Sequence, residues 1–164
     1  MSLLSPDLVS ALTRRFLEAA VKAAQAADVP VERVHCSERI LVAAFREADA
    51  ELESWKRRGN GRVSTGKVLG AIAYWLSVMR PIILSVNDLN EQPGLDRFAD
   101  LAVFIFLCEG LVGVTPAQTT GAQIVYLLAT RRFTPDSLAL LLDTMILMSG
   151  AANANGEAFL ETIG

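Results

Sequence analysis

Along most of the chain apolar side chains recur every three or four residues, the period of a helix with one buried face. Leu8, Leu12, Phe16, Ala19 and Ala23 form the first such stripe, with Arg14, Arg15, Glu18, Lys22 and Gln25 on the other side. Ser5-Pro6-Asp7 supplies a cap, a proline suited to the first helical position and an acid in the first turn. Asp28 and Pro30 stop the helix, whose alanine-rich end predicts close approach by a neighbour.

After a short connector, Ser37 caps a second helix that runs through Lys56. Leu41, Ala44, Phe45, Ala48, Leu52 and Trp55 form its apolar stripe, with Arg46, Glu47, Asp49, Glu51 and Glu53 largely opposite. Gly59-Asn60-Gly61 supplies residues that accept positive φ in a turn. A central helix follows, capped by Ser64 or Thr65 and spanning Lys67 to Val86. It is nearly all apolar, so most of its circumference is expected to be buried; Lys67, Gly70, Tyr74, Ser77 and Pro81 share one narrow stripe. Pro81 lacks an amide hydrogen, which predicts a kink there, the alternative being a helix end with Ile82 to Val86 extended.

Asn87 to Gly94 has the composition of a loop. Leu95 to Leu111 begins amphipathic, with Asp96, Arg97 and Asp100 on its polar side, and turns apolar all round. Its length favours a second buried helix, although VFIFL alone also fits a strand. Gln118 to Arg132 and Leu138 to Met148 read as further helices, the latter started by Thr134-Pro135-Asp136. Residues 151–164 read as a possible linker plus a short terminal helix. The expected architecture is all-α: one domain over residues 1–164, a helical bundle of six or seven helices around two central apolar helices.

Composition narrows the functional classes. Hydrophobic residues make up 52% of the 164 and charged residues 20%, a balance that excludes disorder. Apolar excess of this kind also suits a subunit interface, which predicts a homodimer or other self-association. The net charge of −3 is too small for electrostatic capture of nucleic acid or membrane by the whole molecule. Arg80 interrupts the best membrane-span candidate, well short of the ~18 apolar residues a span needs. Cys36 and Cys108 are isolated, and the first residues lack a secretory pattern, so the expected location is cytoplasmic.

The sharpest motif is Gly61 to Lys67, GRVSTGK, which matches a phosphate-binding loop up to its lysine. Val68 then stands where the loop needs a magnesium-holding hydroxyl, and a charged helix precedes it instead of a buried strand. A nucleotide-using enzyme is accordingly the weakest of the functional readings. What survives is the charge. Lys56, Arg57, Arg58, Arg62 and Lys67 lie within twelve residues, and no acid occurs between Glu53 and Asp88. With Ser64, Thr65 and the amides at the start of the central helix, this turn is a candidate site for a phosphate, a sulfate or an acidic patch on a partner. The ordinary alternative is that these cations solvate a helix end and balance its dipole. No aromatic residue is interleaved with them and no recognition helix is present, so no specific nucleic-acid binding is expected.

Glu32-Arg33-Val34-His35 matches one ExxH unit of a di-iron helical protein. His35 is the only histidine, so one chain cannot supply the second unit, and neither a metal nor a cofactor is expected. Pairing His35 with Cys108 as base and nucleophile lacks any local activating group. Arg80 and Glu109 are charges embedded in the two most apolar segments. They could pair with each other, reach solvent, or join Tyr74 as the polar anchors of a pocket for a small acidic ligand. No catalytic set emerges. The leading reading is a noncatalytic interaction or adaptor protein, including an accessory or neutralising partner in a bacterial system. A helical binding module for a small acidic or apolar ligand is the alternative.

Overall fold

The computed structural model describes residues 3–26, 29–59, 65–86 and 95–112. These residues are mostly helical, as the periodicity predicts. Helix α1 spans Pro6–Ala26, α2 Glu38–Arg58, α3 Thr65–Ile83 and α4 Leu95–Ile105, which continues as a π-helical segment, Phe106–Val112. Two three-residue strands, β1 Val34–Cys36 and β2 Leu84–Val86, pair antiparallel with Val34 opposite Val86 and Cys36 opposite Leu84. The helices expected over 118–132 and 138–148, and the terminal 151–164, lie outside the described residues.

The caps expected at Ser5 and Ser37 form, while Ser64 and Thr134 lie outside the described residues. Ser5 Oγ accepts from Leu8 N–H at 3.2 Å, and Ser37 Oγ from Ile40 N–H at 3.4 Å, each satisfying an amide that has no partner inside its helix. At the other end of α1, Val29 N–H donates to Ala24 O at 2.8 Å. Helix α2 runs two residues past Lys56, its last turn holding Lys56, Arg57 and Arg58. Gly59 follows with φ −113°, ordinary extended backbone, so this glycine does not use the positive φ its composition offers; Asn60 and Gly61 lie outside the described residues.

Helices α2 and α3 form an antiparallel hairpin. Ser37 N–H donates to Ile83 O at 2.7 Å at one end, and Trp75 Nε1–H donates to Glu51 Oε2 at 2.9 Å midway. The β1–β2 ladder closes the hairpin beyond Ser37. Helices α1 and α4 pack on each other, α4 also packs on α3, and α1 on α2. Phe16, Phe45, Phe98 and Phe106 are fully buried among Leu12, Leu41, Leu52, Ile72 and Leu76. The Phe106 ring lies 5.4 Å from that of Phe16 and 6.1 Å from that of Phe45, joining α1, α2 and the π segment in tilted aromatic contacts. Ala19, Ala20, Ala23 and Ala24 are buried, the close approach that the alanine-rich end of α1 predicts.

Several expectations need correction. Where a helix to Val86 was expected, α3 ends at Ile83 and the chain extends as β2, the helix stopping two residues past Pro81. Its missing N–H removes a donor from the Ser77 carbonyl, and Arg80 Nη1 supplies one in its place, 2.5 Å from Ser77 O. The VFIFL stretch is helical. Residues 31–36 form a short 3₁₀ turn and strand, so His35 is exposed on β1, two residues before the Ser37 cap of α2. Asp100, expected on the polar side of α4, is buried. Trp55 is 42% exposed, and Tyr74, Val78 and Ile82 are 41%, 48% and 64% exposed. These three fall one helical turn apart, so α3 carries an outward apolar stripe that runs from Tyr74, on the expected narrow stripe, to Val78 and Ile82, which were not expected on it.

Candidate functional site

The basic turn is assembled by the hairpin, which brings the end of α2 beside the start of α3. Arg57 and Arg58 are exposed and Lys56 half-buried. Arg57 Nε–H donates to Glu53 O at 3.5 Å, placing a cation against the last carbonyls of α2, where the helix dipole is negative. Thr65 begins α3 and Lys67 falls in its first turn, which contains no acid. Arg62 and Ser64 lie outside the described residues, as does most of the Gly61 to Lys67 motif. Trp55, one turn before Arg58, adds an exposed indole that the sequence reading assigned to the core. The structure thus brings an aromatic face to the edge of the cationic end, a juxtaposition suited to an anionic partner with an apolar contact.

Tyr74, Arg80 and Glu109 occupy separate surroundings. Tyr74 points outward, its ring edge-on to Trp75 at 5.3 Å between centroids. Arg80 forms an ion pair with Asp100 across the α3–α4 contact, the two side chains being 19% and 4% exposed. Its guanidinium also lies 3.4 Å from the buried Ser77 hydroxyl. Glu109 pairs with Lys22 of α1, beside a cleft of about 30 Å³ lined by Arg15, Glu18, Phe106 and Gly110 among others, room for a water-sized molecule. The partner of Arg80 is therefore Asp100, and that of Glu109 is Lys22. Nothing in the sequence signals the first pair, since Asp100 stands with Asp96 and Arg97 at the amphipathic start of α4.

Neither cysteine is in a disulfide, and both thiols are held protonated. Burial, then the Glu109 carboxylate, pushes Cys108 up to about 12. Burial, then Glu38, pushes Cys36 up to about 11. Neither is a ready nucleophile at neutral pH, and His35 is exposed on β1 while Cys108 is buried. No group of three or more His, Cys, Asp and Glu side chains there is placed to hold a metal ion. No helix among the described residues is long and apolar enough to cross a membrane.

No protein-family model, curated protein or solved structure matches the chain. Any functional reading therefore rests on these side chains.

Proposed function

We propose that the chain is a noncatalytic, self-associating interaction protein, a single helical bundle of six or seven helices working in the cytoplasm, with the basic turn as its docking site for an acidic partner. The observation that carries this reading is the outward face of the α2–α3 hairpin. Trp55 is exposed beside the cations Lys56, Arg57 and Arg58, and Tyr74, Val78 and Ile82 are exposed along α3 toward the other end of the hairpin. By sequence, Arg62, Ser64, Thr65 and Lys67 belong to the same proposed docking site. Exposed aromatic and apolar side chains rimmed by charge are the composition of interaction surfaces, and the thiols are too basic to suggest covalent chemistry. An accessory or neutralising partner in a bacterial system would use such a surface.

Light scattering on the purified chain over a wide concentration range tests self-association, with a dimer mass expected. Affinity purification from the native host, repeated with Arg57 and Arg58 both changed to Glu, tests docking. A co-purifying protein lost with those two changes supports the reading; a partner retained unchanged moves the site elsewhere.

A further inference from the structure

The outward face of the α2–α3 hairpin is complementary to itself. Glu47 and Arg58 are eleven residues apart, a whole number of helical turns to within about 20°, so they lie on one line of α2. Both are exposed, and neither has an ion-pair partner among the described residues. On α3, Gly70 is followed one turn later by Tyr74, and a Cβ built at Gly70 would meet no atom within 4 Å. Space therefore exists over a glycine, where another helix can come close, and a tyrosine stands exposed beside it.

A two-fold axis lying in this face and perpendicular to the helices would lay α2 on its copy and α3 on its copy, each pair antiparallel. Passing between Leu52 and Glu53, the axis sets Glu47 against the partner's Arg58. Passing level with Ile72, it sets Tyr74 over the partner's Gly70 and Val78 over the partner's Gly66. One axis can do both only if Leu52 and Ile72 stand at the same height on the two helices. The hairpin puts them there to within one helical turn, because Glu51 bonds to Trp75 and the helices run in opposite directions. An acid and a base, and a tyrosine and a glycine, are thus spaced about nearly the same point.

We infer that a second copy of this chain covers this face in an isologous dimer, with Glu47–Arg58 pairs at its rim and Tyr74 seated over Gly70 near its centre. The inference rests on the self-association proposed above and assigns its surface. The test is the dissociation constant of the full chain by sedimentation equilibrium at low salt, for Glu47→Arg, Arg58→Glu, the double exchange and Gly70→Leu, with circular dichroism confirming helix content. Each single reversal places like charges together twice per dimer and is expected to weaken dimerisation at least about tenfold. The double exchange restores it, and Gly70→Leu gives monomer. A dimer indifferent to all four variants, or single reversals that the exchange fails to rescue, overturns this interface while leaving self-association intact. Wild-type monomer at every concentration overturns both.

Discussion

Arg80 and Asp100 form an ion pair at the α3–α4 contact in which the same guanidinium also takes the place of the backbone donor that Pro81 lacks. One side chain thus neutralises a buried carboxylate and donates to the Ser77 carbonyl.

Arg80→Met should therefore destabilise the fold by about 3–5 kcal/mol in denaturant titration, the usual cost of breaking a buried pair from one side. Changing Asp100 to Leu in addition should recover most of that loss, since the uncompensated carboxylate is then gone. By contrast Lys22→Ala, which removes the partner of Glu109, should cost less than about 1 kcal/mol, because that pair is 55% and 27% exposed and solvent screens it.

The Trp75–Glu51 hydrogen bond ties the hairpin midway. Glu51→Gln should cost about 1 kcal/mol and shift tryptophan emission. Emission and stability unchanged in Glu51→Gln would mean that apolar packing alone holds the two helices in register.

Two serines cap helices of equal length. Ser5→Ala and Ser37→Ala should each lower stability by about 1 kcal/mol, with the effect of Ser5 the larger because its hydrogen bond is shorter, 3.2 Å against 3.4 Å. Thermal unfolding of the two variants side by side gives the ranking.

The thiols predict an alkaline loss of stability. Folded-state values of about 11 for Cys36 and about 12 for Cys108 lie above the ordinary thiol value, so the fold favours the protonated form. Stability is unaffected below about pH 8.5, the unfolded thiol range, and falls as pH rises from there through 11 to 12, because only the unfolded chain releases the protons. Cys36→Ala with Cys108→Ala should flatten that decline relative to wild type.

Local chemistry was readable from the sequence where it depends on neighbours in the chain. Ser5-Pro6-Asp7, Ser37 and the alanine run of α1 describe helix starts and a close-packed face, and each is found. Features that depend on residues distant in sequence were not. Nothing near His35 announces that Ser85 will lie opposite it, so strand β1 was read as a connector. The donor that Arg80 gives the Ser77 carbonyl is a local contact three residues apart, but the ion pair of that same arginine with Asp100 on α4 joins residues twenty apart. Trp55 fits the apolar stripe by spacing, yet it lies at the end of α2, where the core thins. The cationic cluster was legible as composition; its aromatic neighbour became apparent only when the helix end was placed.

The β1–β2 ladder also says something about the order in which the chain folds. Pairing Val34 with Val86 closes a loop of about fifty residues, an entropic cost of roughly 3.5 kcal/mol if it were done first. Closing it after α2 and α3 have zipped together from their short connection reduces that cost to the last few residues. The strands then form on the native side of the folding barrier, and substitutions at Val34 or Leu84 should speed unfolding while leaving the folding rate nearly unchanged.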